Sequence, residues 1–188
     1  MIMEEIQLFL DDAKETMDRA LKHTNIELSK IRAGKAMPSM LDGLMVEYYG
    51  VPSPIQNVAT VNTPDARSLV IRPFEKKLLG EVEKAIRNSD LGLSPNNDGE
   101  VVRLNIPPLT EERRRDLVKR VKSEIEVGRV NIRNIRKDTN ESLRKLLKEG
   151  ASEDDIKRAE EKVQALTDSY IGKMDSLSSA KEAEIMTV

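Results

Sequence analysis

Three stretches of the chain repeat apolar or small residues at steps of three and four. The first runs Ile2, Ile6, Phe9, Ala13, Met17, Ala20, Thr24, Leu28, Ile31. The second runs Leu117, Val121, Ile125, Gly128, Ile132, Ile135, Thr139, Leu143, Leu146. The third runs Ile156, Ala159, Val163, Leu166, Tyr170, Met174, Leu177. Such spacing puts one apolar seam on each of three long amphipathic helices. The first helix is expected to stop near Ala33-Gly34-Lys35, with Pro38 beyond it. The second has no proline for about 39 residues, roughly 58 Å of helix. The third starts after Gly150: Ser152 is its expected N-cap, and Asp155 stands three residues on as the capping acid. Glu153 and Asp154 suit its positive N-terminus. Three such seams can bury one another in a bundle.

Between the first two helices the texture changes. Residues 45–50 read as a strand, Val51-Pro52-Ser53-Pro54 as a stiff loop, and 55–62 and 68–72 as short strands around a Thr63-Pro64-Asp65 turn. Residues 76–89 return to helical spacing. A turn is expected at 95–99 and a last strand at 101–106, closed by Pro107-Pro108. The expected fold is therefore α+β: an elongated, coiled-coil-like three-helix bundle with an inserted small β/α/β domain, two domains in an L. The bundle takes residues 1–33 and 108–188, and the inserted domain 35–105. Two chain connections join them, Ala33-Gly34-Lys35 and Ile106-Pro107-Pro108, and a double connection of this kind is expected to work as a hinge.

Charge changes the picture more than composition does. The formal net charge is only −2, but residues 103–148 hold 14 basic and 7 acidic side chains, and residues 149–188 hold 5 basic and 10 acidic. The field is thus directional although the total is nearly neutral. Arg115, Lys122, Arg129, Arg133, Arg136 and Arg144 fall in one arc of the middle helix, roughly 100° round from its seam, and Glu126 is the acid that intrudes. Arginine and lysine side by side on a rigid helix present charge to phosphate. Five aromatic residues, Phe9, Tyr48, Tyr49, Phe74 and Tyr170, are too few for base stacking to lead recognition. Tyr48 and Tyr49 are expected to alternate faces in their strand.

Candidate catalytic chemistry is thin. With no cysteine there is no disulfide, thiolate zinc site or cysteine nucleophile, and the one histidine, His23, sits in a helical pattern without partners for a triad. No phosphate-cradling glycine motif occurs, and no carboxylate pair is singled out. The expectation is a non-enzymatic protein without cofactor or metal. The start is neither a signal nor a transit peptide, and no apolar run approaches the roughly 18 residues of a membrane span, so a cytoplasmic protein is expected. An RNA-binding scaffold, a coiled-coil adaptor that docks a protein through the β-rich domain, and an accessory RNA-binding arm all fit these facts.

Several motifs narrow the choice. They are Ser89-Asp90-Leu91-Gly92-Leu93; Leu104-Asn105-Ile106-Pro107-Pro108-Leu109-Thr110-Glu111-Glu112-Arg113-Arg114; Ile132-Arg133-Asn134-Ile135-Arg136-Lys137-Asp138; Ile31-Arg32-Ala33-Gly34-Lys35-Ala36; Glu47-Tyr48-Tyr49-Gly50; and Lys181-Glu182-Ala183-Glu184. In this order, along essentially the whole chain, they resemble the ribosome recycling factor family. The resemblance implies a monomer that binds the intersubunit space of the post-termination ribosome and acts there with elongation factor G and GTP. Subunits then part, and messenger and tRNA leave. It implies that the bundle contacts large-subunit ribosomal RNA, with Arg129, Arg133 and Arg136 matching the family's arginines, Arg32 fitting the motif beside the hinge, and Lys122 and Arg115 extending the stripe. Gly128 departs from the pattern, because alanine is expected there. Glycine costs ~1 kcal/mol against alanine in an exposed helix interior, so it either admits a neighbouring helix closely or loosens the stripe.

Overall fold

The structure is a computed structural model that describes residues 1–187. In chain order its elements are helix α1 (Ile2–Ser29), strands β1 (Met45–Tyr48), β2 (Val51–Pro54), β3 (Ala59–Asp65) and β4 (Ser68–Pro73), helix α2 (Leu79–Arg87), strands β5 (Pro95–Asn97) and β6 (Val102–Asn105), and helices α3 (Glu111–Lys145) and α4 (Glu153–Met186). The chain divides into two compact units, one of Met1–Arg32 with Glu111–Thr187, the other of Ala33–Thr110.

The helical unit buries the three seams against each other. Near one end Ile6 and Leu10 of α1 meet Leu143 and Leu146, and Ile156, Ala159 and Val163 of α4. Further along, Met17 meets Ile132, Tyr170 and Met174. These layers set α1 and α4 parallel, with α3 antiparallel to both. The expected 39-residue middle helix is 35 residues of α-helix followed by a four-residue 3₁₀ turn, Leu146–Glu149, that tightens its end. Gly150 then takes a left-handed conformation (φ 100°), and Ser152 caps α4: its hydroxyl accepts from the Asp155 N–H at 3.1 Å and donates to the Asp155 carboxylate at 2.7 Å. Ile135 and Thr139 are half-buried, whereas Leu10 and Ile185, outside the seams read from sequence, are buried.

Gly128 is not in an exposed helix interior. It is buried where all three helices meet. A Cβ on it would stand 2.6 Å from the Thr24 Oγ1 of α1 and 2.9 Å from the Met174 Cε of α4. Close packing, not a loosened stripe, is the reason for this glycine.

The second unit has its own core, in which Val46, Ile55, Leu69, Ile71, Val82, Ile86, Val102 and Leu104 are all buried. Its four-stranded sheet has the order β3-β4-β6-β5, antiparallel throughout, and β1-β2 form a separate hairpin. Three local expectations are corrected. Val51-Pro52-Ser53-Pro54 is strand β2 and not a loop; β1 is its only partner in that sheet, so the prolines leave no second ladder unpaired. Thr63-Pro64-Asp65 continues β3 after a register shift, and the turn falls at Ala66 and Arg67. There the Asp65 carboxylate accepts from the Arg67 N–H at 2.8 Å, which holds that carboxyl below its ordinary range. Residues 95–97 form strand β5, so the turn begins at Asp98, whose Oδ1 accepts from the N–H groups of Glu100 (3.0 Å) and Val101 (2.9 Å).

Both ends of this unit are fastened to the β3–β4 turn. The Ala36 N–H donates to the Ala66 carbonyl and the Ile106 N–H to the Arg67 carbonyl, each at 2.8 Å. Gly34 has φ 75°, and a Cβ on it would lie 2.8 Å from Leu109 Cγ. The two connections therefore pack on one another as well as on the turn.

Candidate RNA interface on the bundle

The arc of cations on α3 is present, but it is not a row of free charges. Arg129, Arg136 and Arg144 reach across to α4. The Arg129 guanidinium forms an ion pair with Asp175, with Nε at 3.1 Å from Oδ1. Arg136 donates to the Gln164 amide oxygen at 3.3 Å, and Arg144 to Glu160 at 2.6 Å. The acidic composition of the last helix is thus explained in part by the basic helix it lies against. Arg115 pairs with Glu111 one turn earlier on its own helix. Lys122 and Arg32 are exposed and make no ion pair among the described residues.

Glu126 is the centre of the arrangement. One carboxylate oxygen accepts from Arg129 Nη1 at 3.2 Å and the other from Arg133 Nη1 at 3.1 Å. Those two hydrogen bonds, Arg129's first, hold the Glu126 carboxyl below its usual range, and the pair with Asp175 raises the Arg129 guanidinium further. Arg129 is 29% exposed and Arg133 49%. The stripe therefore separates into cations that tie α3 to α4 and cations that face solvent. Asp175, Gln164 and Glu160 could not be found from periodicity, because their partners follow from the register between two helices.

A second polar cluster lies on the side domain. Tyr49 and Gly50 make the β1–β2 turn with φ 50° and 79°, the conformation of a two-residue hairpin turn. Tyr48 and Tyr49 accordingly do not alternate faces: both hydroxyls donate to Glu75, at 2.9 and 3.1 Å. Lys77 pairs with Glu75 and sits over the Tyr49 ring, 4.1 Å from its centroid. Tyr49 is 68% exposed. No group of three or more residues that could hold a metal occurs among the described residues, and no described helix is long and apolar enough to cross a membrane.

A three-helix scaffold with an inserted α+β unit, and with its surface chemistry concentrated in arginines on one long helix, is the class of protein these observations define. The chain belongs to the ribosome recycling factor family: the profile of that family matches residues 24–186. The ribosome-recycling factor of Cytophaga hutchinsonii is 60% identical over 186 residues, which cover 99% of this chain and 100% of that one. A solution structure of a ribosome recycling factor is 38% identical with a TM-score of 0.72, covering 98% of each chain. A second structural relative is 46% identical with a TM-score of 0.60, over 96% of this chain and 98% of that one. It is described as the T. thermophilus ribosome recycling factor, with E. coli elongation factor G, bound to the E. coli post-termination complex.

Proposed function

We propose that this chain recycles ribosomes. It binds the post-termination ribosome in the cytoplasm as a monomer and, with elongation factor G and GTP, promotes dissociation of the subunits and release of mRNA and tRNA. The observation that carries this reading is full-length identity: 60% over 99% of the chain with a ribosome-recycling factor. The bundle is the part that meets large-subunit ribosomal RNA, through Arg133 and Arg136 with Arg129, Arg32, Lys122 and Arg115 around them.

Arg133 and Arg136 are the residues to test. Arg133 is exposed, so alanine there should leave bundle melting nearly unchanged, within about 0.5 kcal/mol. Arg136 is half-buried and donates to Gln164, so alanine there should cost up to about 1 kcal/mol. Each lost phosphate contact should weaken binding to vacant ribosomes and make the slope of log affinity against log salt shallower by about one. Wild-type affinity and slope for both variants in a cosedimentation series would remove RNA contact from the stripe. Salt-insensitive binding of the unmodified protein would favour a protein-docking adaptor instead.

The two connections, Ala33-Gly34-Lys35 and Ile106-Pro107-Pro108, act as the hinge in this reading. Ala36 and Ile106 are fastened to the β3–β4 turn by their N–H groups, so the freedom of the connections is left to Ala33-Gly34-Lys35 and Pro107-Pro108. Backbone relaxation should then give the two units separate rotational correlation times. One shared tumbling tensor for all residues would exclude the hinge.

A further inference from the structure

Glu126 and Arg133 are seven residues apart, about 10.5 Å along the helix axis. That is beyond the three- and four-residue spacing at which helical side chains are ordinary neighbours. Arg133 must lean back towards the helix N-terminus to reach Glu126, as long helical side chains do. The result brings two guanidiniums, those of Arg129 and Arg133, to the two oxygens of one carboxylate. Two cations so close repel unless an anion lies between them. An RNA phosphodiester offers the same features as the carboxylate: one negative charge and two non-bridging oxygens, each able to accept from an arginine. Asp175 holds the other edge of Arg129 from α4, so Arg129 does not depend on Glu126 for its position. Among the described residues Arg133 pairs with Glu126 alone.

We propose that the space between Arg129 and Arg133 is a seat for one RNA backbone phosphate, that the Glu126 carboxylate fills it in the free protein, and that binding exchanges one anion for the other. The inference rests on the RNA-contact reading above and adds to it. Glu126 is a positioning residue in the free state: it holds Arg133 in place and, together with Asp175, neutralises the two guanidiniums. It is also a competitor, because the phosphate must displace it. Arg129 is the fixed wall of the seat and Arg133 the movable one.

The test uses the full chain, vacant large ribosomal subunits and a fixed salt concentration. Glu126→Gln keeps the shape and one acceptor oxygen but removes the charge. It should tighten binding about two- to fivefold, the range set by the strength of exposed ion pairs. In an Arg133→Ala background the same substitution should give little of that gain, because the charge it frees is gone. Glu141→Gln removes an equal charge from the same helix, where it pairs with Lys145, and should change affinity much less. Wild-type or weaker binding by Glu126→Gln overturns the proposal. So does a full gain that persists without Arg133, or an equal gain from Glu141→Gln, since either means only that net charge matters. These failures leave the RNA-contact reading intact if Arg133→Ala itself weakens binding. Where Arg133→Ala and Arg136→Ala both bind as wild type, the reading and the seat fall together. The Glu126 and Arg133 variants should keep the wild-type melting curve, because both side chains are about half exposed.

Discussion

Gly128→Leu should unfold the bundle at temperatures where the wild type is folded, with a loss of about 3 kcal/mol or more, in the range of severe core overpacking. The site is closed from two sides: Thr24 of α1 would lie 2.6 Å, and Met174 of α4 2.9 Å, from a single added carbon. The Met174 contact is with the end of a flexible side chain and can move aside. Thr24 is short, β-branched and buried, so its hydroxyl decides the outcome. Even Gly128→Ala should therefore lose stability, although alanine favours helix by ~1 kcal/mol over glycine. The net loss expected for alanine is about 1 kcal/mol, overpacking less propensity. Thr24→Ala should recover part of it in a double-mutant cycle, since it removes the atom nearest the new Cβ. Urea denaturation followed by helical circular dichroism reads all three. A Gly128→Ala protein more stable than wild type would show that the waist of the bundle has room to spare.

That glycine also marks the limit of what the sequence alone could say. Periodicity is a property of one helix, and it identified the three seams; local residue chemistry gave the Ser152 cap and a stop for the first helix a few residues past its observed end at Ser29. Why position 128 needs glycine depends on which residues of two other helices stand opposite, and no single seam contains that. The same holds for the arginine arc. Its angular position follows from 100° per residue, but its division into ties and free cations follows from Asp175, Gln164 and Glu160 on α4. In the side domain the misread segments, 51–54, 63–65 and 95–97, all carry proline, which reads locally as turn. Each lies instead in a strand at or near the edge of its sheet, where a missing N–H is tolerated. The Tyr48–Tyr49 pair failed as an alternating strand because the chain turns at Tyr49 with positive φ, a conformation uncommon for a bulky residue.

Removing the side domain should separate binding from splitting. Joining Arg32 to Glu111 through a short flexible linker leaves the layers around Leu143 and around Ile132 with their partners, because both are built from α1, the α3 segment and α4. The shortened protein should thus fold, with the helical melting of the intact bundle. It keeps Arg133, Arg136 and Glu126, so it should bind vacant ribosomes with the same salt slope as the full chain. It should nevertheless fail to separate subunits when elongation factor G and GTP are added. Binding shifts an equilibrium only by the difference in affinity between the two states, and a bundle that grips the joined ribosome has no reason to favour the parted one. In this reading the work comes from elongation factor G acting on the side domain, whose exposed Tyr49 is held by Glu75 and Lys77. The shortened protein should accordingly act as an inhibitor, blocking splitting by the full chain in proportion to the sites it occupies. Light scattering of post-termination ribosomes reads both effects. Splitting at the wild-type rate by the bundle alone, still dependent on elongation factor G, would take the side domain out of the mechanism and leave the arginine-bearing helix as the whole of the machine.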